Sequence, residues 1–276
     1  MHRARVSVTE KELAAAIRTI GVAGRPVGLH SSLSSFGKVG GGADAVVDAF
    51  LAEGCTLLVP AFSFDANAVD PPPGSSIDRN GWDYSRSWFG RSDAAVYTTD
   101  SSAIDRRMGA VPAAVVRRHG RTRGDHPMCS FAALGPTAAD LIASQTPEDV
   151  FAPLAELALR DGSVVLAGVD LNRMTLLHLA EQRAGRRMFV RWAAGAHGKP
   201  LTARVGGCSE GFVNLRSTLS ELERATRVGT STWRVYDAAA VLDVATDAIR
   251  RRPEITRCQD VLCTRCRDAV RGGPEI

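Results

Sequence analysis

The sequence lacks a strong charge of either sign. Its 276 residues include 34 lysines and arginines against 30 acidic residues, a formal net charge of +4. Domains that bind nucleic acid carry a basic stripe or patch, and this balance does not predict one. Lysine is scarce, with Lys11, Lys38 and Lys199 alone, so the positive charge is almost entirely arginine. We therefore expect no nucleic-acid partner.

Long apolar runs are also missing. No stretch approaches the ~20 residues that would cross a bilayer. The charged N-terminal segment Met1–Arg5 is followed by polar, helical sequence rather than by the apolar core of a signal peptide. These two absences predict a cytoplasmic protein with no membrane partner.

The composition is that of an ordinary globular protein. Hydrophobic residues make up 45% of the chain and charged residues 23%, which excludes a disordered or collagen-like chain. A chain of this length buries roughly three quarters of its unfolded surface and needs no disulfides to stay folded. The mild positive charge suits a polyanionic cofactor.

The first sixty residues predict a βαβ unit. Thr9 and Glu12 have the spacing of a capping box, with an apolar helical pattern after them. Residues 26–30 read as a strand, residues 43–51 as a helix and residues 55–59 as a second, continuously apolar strand. Because strand, glycine-rich turn, helix and strand follow in order, we expect a largely parallel sheet.

The rest of the chain continues this alternation, with no repeat and no clear linker. Further helices are expected over residues 105–116, 137–144, 153–159, 172–183 and 237–250, and further strands over residues 130–134, 163–167, 188–192 and 201–205. We therefore predict one α/β domain over residues 1–276, with a largely parallel central sheet flanked by helices. It carries a long irregular loop, residues 62–91, and a cysteine-rich tail, residues 254–276; loops of that length are usually functional.

One candidate catalytic group is Thr175, His178 and Glu181. Their spacing of three places them on one face of the helix that follows the strand 163–167. Histidine takes protons near neutral pH, and a carboxylate one turn away fixes its tautomer and stabilises the protonated ring. The same spacing also fits a surface helix whose polar face happens to show these residues.

A serine- and glycine-rich turn, residues 30–42, lies between a strand and a helix. Glycines let backbone N–H groups approach an anionic ligand, and Lys38 adds a positive charge. The spacing matches neither the Walker motif nor the dinucleotide fingerprint. The turn is either a phosphate-binding loop or simply flexible.

A histidine and a cysteine stand close together where a loop enters a strand. His126 precedes Pro127 in an arginine-rich loop and is expected to have a structural role, although it could meet an anion. Cys129 could be imagined as a nucleophile beside it, but nothing nearby in the sequence would stabilise a thiolate.

Cysteines crowd the C-terminal end. Cys258, Cys263 and Cys266 lie within nine residues, and in a cytosolic chain such spacing points to a metal more readily than to disulfides. Tetrahedral zinc needs a fourth ligand, for which Cys208 is the best remaining candidate. The alternative is a set of reduced thiols. A zinc here would be structural, adding stability without taking part in the chemistry.

The long loop carries acidic and aromatic residues together. Carboxylates interleaved with aromatic rings form a plausible lip for a cationic, sugar-like ligand, although a solvated loop explains any one residue equally well. The residues are Asp65, Asp70, Asp78, Trp82, Asp83, Tyr84 and Trp88.

Three motifs together resemble one known family. They are Leu29-His30-Ser31-Ser32-Leu33 with Gly37-x-Val39-x-Gly41-Gly42, then His126-Pro127-x-x-Ser130-Phe131-Ala132-Ala133-Leu134-Gly135, then Thr175-Leu176-Leu177-His178-Leu179-Ala180-Glu181. In order and spacing they are similar to the aminoglycoside 3-N-acetyltransferases, which are distinct from the GNAT superfamily. The resemblance runs from about Thr9 to Ala269.

The resemblance implies an α/β fold with acetyl-CoA lying beside an antibiotic, and direct attack of an amine on the thioester. It implies that His178 is the general base, that Glu181 orients it, and that Thr175 stabilises the oxyanion. Donor-binding residues would be His30, Ser31, Ser32, Leu33, Gly37, Lys38, Val39, Ser130 and Phe131. From the acidic and aromatic loop we take Asp65, Asp83 and Tyr84 as acceptor-binding residues. The zinc ligands remain Cys208, Cys258, Cys263 and Cys266, and the resemblance favours them because some members of the family carry a similar cysteine-rich end.

Other functions remain open from the sequence. The acceptor could be a different small-molecule amine, since residues 97–105 and the loop 62–91 depart from the family pattern. A hydrolase using Ser31 or Cys129 would form an acyl-enzyme, but the chain lacks a Gly-x-Ser-x-Gly elbow. A binding module with a zinc-containing tail would hold a partner or a nucleic acid with the cysteines and residues 250–252.

We expect the protein to be a monomer or a homodimer.

Overall fold

The computed structural model describes residues 7–89 and 93–276, so residues 90–91 of the predicted loop lie outside the described part. The helices are α1 Glu10–Thr19, α2 Gly42–Ala52, α3 Phe64–Asn67, α4 Ala110–Arg117, α5 Ala138–Ile142, α6 Ala152–Leu159, α7 Leu176–Arg183, α8 Arg216–Leu219, α9 Ala238–Arg251 and α10 Thr264–Val270. The strands are β1 Pro26–Ser31, β2 Thr56–Pro60, β3 Ala68–Val69, β4 Thr122–Arg123, β5 Phe131–Leu134, β6 Ser163–Ala167, β7 Phe189–Ala193, β8 Leu201–Val205, β9 Arg224–Val228 and β10 Ser231–Asp237.

The predicted capping box starts α1. The Thr9 hydroxyl accepts the backbone N–H of Glu12 at 3.3 Å, and the Glu12 carboxylate accepts the backbone N–H of Thr9 at 2.8 Å. These two bonds satisfy N–H groups that a helix start leaves without partners. The helix then buries Leu13, Ala16 and Ile17 against the body of the protein.

The large sheet has seven strands in the order β4-β5-β2-β1-β6-β10-β9. At its centre β1 pairs in parallel with β2 and β6. The outer pairs are antiparallel, with β5 on β2, β4 on β5, β10 on β6 and β9 on β10. Only β5 and β10 therefore run against the common direction of this sheet, and the prediction of a largely parallel α/β sheet is confirmed.

Neighbouring residues of a strand point into two separate hydrophobic cores, one on each face of the large sheet. Val27 and Leu29 of β1 join the core beneath α1, α2 and α4, in which the rings of Phe50 and Trp233 stack at 5.7 Å. Gly28 of β1 faces the opposite core, and a Cβ there would lie 2.9 Å from Leu157 of α6. The sheet is thus a middle layer with helices on both faces, as expected for a strand buried on both sides.

A second sheet of three strands, in the order β3-β7-β8, has all its pairs antiparallel. Its strand β3 and the short helix α3 are formed by residues 64–69, within the segment that the sequence predicted to be irregular. The rest of that segment, up to residue 89, consists of turns and extended chain. In the described residues, no helix is both long and apolar enough to cross a bilayer.

Candidate active site

A cavity of about 1440 Å³ opens at the carboxyl ends of the three central parallel strands. Pro60 ends β2, Ser31 ends β1 and Gly168 follows β6, and all three line it. Ligands bind at this edge of open α/β sheets because loops and helix starts converge there. The cavity is large enough for a long cofactor and a second small molecule side by side.

His178 and Glu181 form a buried pair beside this cavity. The His178 Nδ1 atom lies 2.8 Å from Glu181 Oε2, and both residues are more than 90% buried. Helix α7 is not the surface helix that the spacing alone allowed, because six consecutive residues from Leu176 to Glu181 are buried. His178 lines the cavity, so with Nδ1 bound to the carboxylate its Nε2 atom is left for a ligand.

A buried arginine holds the other side of Glu181. The Arg186 guanidinium donates to Glu181 Oε1 and, at 2.7 Å, to the hydroxyl of Thr256. Arg186 is 6% exposed, so this pair lies in a medium where charges interact strongly. Arg186 therefore holds one oxygen of the Glu181 carboxylate, and the other oxygen orients His178.

The imidazole of His178 is packed on several sides. The ring of Phe151 lies parallel to it at 5.8 Å, and the ring of Phe212 meets it edge-on at 4.7 Å. Gly206 closes a further side, since a Cβ at that position would come within 2.8 Å of the His178 Cδ2 atom. Real Cβ atoms do not approach so closely, so only glycine fits against the ring.

Thr175 immediately precedes α7 and lines the same cavity. Its side chain makes no capping bond to the helix, so the hydroxyl is available for another partner. The three residues that the sequence brought together as catalytic candidates, Thr175, His178 and Glu181, are thus close together, two of them on the cavity surface.

The predicted donor-binding residues divide into two groups. Those that line the cavity are His30, Ser31, Ser32, Leu33, Gly37 and Val39. Ser31 is notable because its buried Oγ atom has no hydrogen-bond partner among the described residues. Burial lowers the pKa of the His30 imidazole to about 4, so this ring is neutral at pH 7.

Lys38, Ser130 and Phe131 do not line the cavity. The Lys38 carbonyl accepts the backbone N–H of Val8 at 2.7 Å, which ties the serine–glycine turn to the start of the chain. The Ser130 hydroxyl donates to the carbonyl of Ala61, and the Phe131 ring packs edge-on against Phe62. Both side chains are therefore buried, and the Phe131 ring packs against Phe62, which does line the cavity.

His126 has a structural role, as expected. Its Nδ1 atom accepts the backbone N–H of Cys129 at 2.8 Å, and its Nε2–H donates to the carbonyl of Arg204 at 2.8 Å. Burial lowers the pKa of His126 to about 4. Burial also raises the pKa of the Cys129 thiol, which disfavours the thiolate that a nucleophile requires.

Of the predicted acceptor-binding residues, only Asp65 lines the cavity. Asp83 is half-buried and accepts the Ser85 hydroxyl at 2.6 Å, and the hydroxyl of Tyr84 accepts the side-chain amide of Asn80 at 2.8 Å. Asp83 and Tyr84 thus stabilise their own loop, although neither of them lines the cavity. The sequence reading missed two further carboxylates that line it, Asp170 and Glu210.

Aromatic rings and a buried arginine form another wall. Trp82 and Trp88 line the cavity with ring centres 5.3 Å apart, and the Arg191 guanidinium lies 4.6 Å from the Trp82 ring. Arg191 also donates to the carbonyl of Asn80 at 3.0 Å. Burial lowers its pKa to about 10, which still leaves it charged at neutral pH. Cation–π contact of this kind holds a ring in place.

The four predicted metal ligands do come together. The sulfur atoms of Cys208, Cys258, Cys263 and Cys266 all lie within 4.8 Å of one another. A tetrahedral zinc with Zn–S bonds of ~2.3 Å needs sulfurs ~3.8 Å apart, so the set fits after a small contraction. Hydrogen bonding with Cys266 lowers the pKa of the Cys208 thiol, which is the direction that metal ligation requires.

The comparisons with known proteins agree with this architecture. The family model described as aminoglycoside 3-N-acetyltransferase matches residues 29–250. A match over most of the chain, together with the α/β sheet and its cleft, defines the class as an acyltransferase. The chain belongs to the aminoglycoside 3-N-acetyltransferase family.

Two curated relatives illustrate the similarity. Aminoglycoside N(3)-acetyltransferase VIII of Streptomyces fradiae is 35% identical over 218 residues, covering 75% of this chain and 70% of the relative. Aminoglycoside N(3)-acetyltransferase IX of Micromonospora chalcea is 38% identical over 167 residues, covering 57% and 56%. The alignment thus spans little more than half the length of the second of these.

Solved structures share the fold. Aminoglycoside acetyltransferase AAC(3)-IVa, as apoenzyme, superposes with a TM-score of 0.76 at 23% identity, covering 98% of this chain and all of that one. AAC(3)-Xa gives a TM-score of 0.72 at 27% identity, covering 89% and 93%. AAC-IIIb, solved as a binary complex with CoASH, gives 0.72 at 23%, covering 90% and 98%.

Proposed function

We propose that this protein transfers the acetyl group of acetyl-CoA to the 3-amino group of an aminoglycoside, with His178 as general base. One observation carries the proposal: the His178–Glu181 pair borders the same cavity as the serine–glycine turn that starts at His30. A base and a donor-binding loop must share one space for acetyl transfer between two bound molecules. The membership of the family and the CoASH complex of AAC-IIIb support acetyl-CoA as donor.

In this mechanism the acceptor amine attacks the thioester carbonyl directly. Nε2 of His178 takes the proton that the amine loses as its new C–N bond forms, and the C–S bond then breaks. The proton passes to the departing thiolate, so the histidine returns to its starting state. Glu181, which holds Nδ1 at 2.8 Å, keeps the ring in the tautomer with Nε2 unprotonated and stabilises the transient imidazolium.

Two hydroxyl groups would assist at either end of the donor. The Thr175 hydroxyl, which lines the cavity and makes no capping bond, would donate to the carbonyl oxygen as negative charge develops there. Ser31 presents a buried hydroxyl without a partner among the described residues, and a buried polar atom of that kind suits a ligand group. We assign Ser31, with Ser32, Leu33, Gly37 and Val39, to donor binding.

The acceptor would occupy the side of the cavity that carries carboxylates. Asp65, Asp170 and Glu210 line it and can receive the ammonium groups of a polycation. AAC(3)-IVa was solved in complex with a gentamicin and with apramycin, which supports an aminoglycoside as acceptor. The cavity also carries arginines, so another small-molecule amine is the alternative that the test below must separate.

We further propose that the four cysteines hold a structural zinc ion. Their chemistry and spacing are those of a closed Cys₄ site, in which every ligand comes from the protein. Such a site binds the metal without an open position for a substrate, so the zinc would stabilise the fold and take no part in proton transfer.

An assay of thiol release from acetyl-CoA tests the function. A panel should contain aminoglycosides with and without a free 3-amino group, and unrelated polyamines. Thiol release only with the 3-amino compounds, and a single acetyl group located on that nitrogen by NMR, is the expected result. Turnover of unrelated amines in preference to every aminoglycoside would support the alternative acceptor, and absence of thiol release with all of them would refute acetyl transfer.

A further inference from the structure

The four-cysteine cluster joins segments that are far apart in the sequence. Cys208 belongs to the link between β8 and the following helical turn, whereas the other three thiols belong to residues 258–266. Cys208 and its neighbours Gly206, Gly207, Ser209 and Glu210 all line the cavity. The first ligand of the cluster is therefore itself part of the cavity wall.

The tail contributes wall residues from inside the cluster. Thr264 and Arg265 lie between Cys263 and Cys266, and both line the cavity. The preceding residues Val261 and Leu262 are 80% and 84% exposed. Hydrophobic packing therefore does not hold residues 261–262, and the cysteine cluster attaches the tail at this point. Further along, the backbone N–H of Arg187 donates to the carbonyl of Gly272 at 3.0 Å.

The same tail supports the aromatic wall. The backbone N–H of Gly81 donates to Asp268 Oδ2 at 2.9 Å in a buried bond between the long loop and α10. A Cβ at Gly81 would lie 3.0 Å from Arg265 Cγ, so the two segments are in direct contact. Trp82 follows Gly81 in the chain and lines the cavity. The tail is therefore one of two supports of the aromatic wall, and Arg191 of β7 is the other.

The donor-binding turn has different anchors. The Ser35 hydroxyl bonds to Ser231 at 2.9 Å, the Thr230 hydroxyl donates to the carbonyl of Ser35, and Val8 donates to Lys38. These partners belong to the β9–β10 hairpin and to the start of the chain. Among the described residues, none of these anchoring bonds involves a cysteine of the cluster.

We infer that the four-cysteine metal centre assembles the acceptor side of the cavity, by joining residues 206–210, residues 264–265 and, through Asp268, residues 81–82. The inference rests on the proposed acetyl transfer and zinc site and extends both, because it gives the metal a part in acceptor binding. Gly206 also packs on His178, so the metal centre positions the base indirectly. The donor-binding turn is independent of it.

Three variants distinguish this inference from the alternative that the metal only stabilises the fold. Cys263→Ser removes a ligand that does not line the cavity, Cys263→His restores a zinc-ligating side chain, and Cys55→Ser changes a buried cysteine outside the cluster. Elemental analysis by mass spectrometry should give one zinc per chain for the wild type, Cys263→His and Cys55→Ser, and little for Cys263→Ser. Removal of zinc from the wild type by a chelator, followed by its return, provides the metal-free state without a mutation.

For metal-free protein we expect the acceptor KM to rise by ~10-fold or more, because a binding wall displaced by about 1 Å loses much of its contact with the acceptor. The dissociation constant for acetyl-CoA should change less than twofold, and zinc should restore the acceptor KM. An unchanged acceptor KM in folded, metal-free protein would overturn the inference, as would a wild type that binds no zinc.

Hydrogen exchange keeps this test separate from the test of acetyl transfer. On metal removal, peptides that contain residues 81–82 and 206–210 should lose protection, while peptides from β1 and the turn after it should not. This pattern would support the inference even if no amine were acetylated. Loss of protection confined to residues 254–276 would refute it, whatever the activity.

Discussion

Gly206 lies directly against the imidazole of His178, so that a Cβ on this glycine would come within 2.8 Å of Cδ2 and 3.0 Å of Nε2. The stacked ring of Phe151 and the edge-on ring of Phe212 confine the same imidazole from other directions. The orientation of the proposed base is therefore set by packing as well as by its bond to Glu181.

Gly206→Ala should displace the His178 ring without emptying the cavity. We expect kcat to fall ~10- to 100-fold, because small displacements of a catalytic group are costly. The dissociation constant of acetyl-CoA, measured by calorimetry, should stay within twofold. A variant with wild-type kcat would show that the ring has more freedom than its packing indicates.

His178→Ala removes the proposed base altogether. Loss of general-base catalysis should lower kcat by ~10²–10⁴ while acetyl-CoA binding remains nearly intact. Steady-state kinetics and calorimetry on the same preparation make the comparison. Turnover close to that of the wild type would contradict the assignment of His178.

The buried pair of Glu181 and Arg186 should be important for stability as well as for orienting His178. Glu181→Ala leaves the Arg186 charge buried without its partner, and such losses cost about 3–5 kcal/mol of unfolding free energy. The exposed pair Arg251–Asp247 is the control, and Asp247→Ala should cost less than about 1 kcal/mol. Denaturant unfolding measures both.

A double variant sharpens this prediction. Adding Arg186→Leu to Glu181→Ala removes the unpaired charge, so part of the stability should return while kcat stays low. If the double variant were no more stable than Glu181→Ala alone, the unpaired arginine would not be the cause of the loss.

Carboxylates on the cavity surface should select the acceptor. Glu210→Gln removes a charge that the described structure places beside Asn172, whose amide donates to Oε2 at 2.9 Å. A charge-assisted bond to an ammonium group contributes about 1.5–3 kcal/mol, so the aminoglycoside KM should rise ~10-fold or more. Asp83→Asn, outside the cavity, is the matched control and should leave KM unchanged. Equal effects of the two variants would contradict the placement of the acceptor.

Stability should fall as the pH drops below about 6.5. Burial lowers the pKa of His30 and of His126 to about 4, so each folded ring resists protonation while the unfolded chain takes up protons near pH 6.5. The contribution of each neutral, buried histidine to the free energy of unfolding is therefore complete above pH 6.5. It is lost as the pH falls from 6.5 to 4. By pH 5.5 the loss is ~1 kcal/mol for each histidine.

Denaturant unfolding at pH 7.5 and 5.5 checks this dependence. His30→Gln carries one fewer buried histidine, so its stability difference between the two pH values should be about half that of the wild type. An identical difference in both proteins would show that His30 titrates normally in the folded state.

The sequence predicted the elements whose local signals agree with their packing. The sequence predicted β1, α2 and β2 from their patterns of apolar residues. The predicted bounds of each differ from the observed bounds by one residue at most. The hairpin of β9 and β10 was missed, although Gly229 and Thr230 form a two-residue turn between Val228 and Ser231. Its exposed outer strand carries arginines and shows little apolar alternation.

Most of the site residues that the sequence predicted correctly to lie together are neighbours along one element; Cys208, which joins a cluster at residues 258–266, is the exception. Thr175, His178 and Glu181 share a helix, and the turn after β1 is continuous in sequence. Glu210 lines the cavity because the long segment after β8 returns to the sheet edge, and no local pattern encodes that return. For the same reason the acidic composition of the long loop could not show that Asp65 lines the cavity whereas Asp83 does not.

Translation supplies Thr264 and Arg265 after every other described residue that lines the cavity. A nascent chain therefore contains all strands of the large sheet and His178 before the last residues of the cavity wall are made. A chain cut short by a premature stop codon before Cys263 would carry the proposed donor-binding turn but would lack Thr264 and Arg265 of the proposed acceptor side.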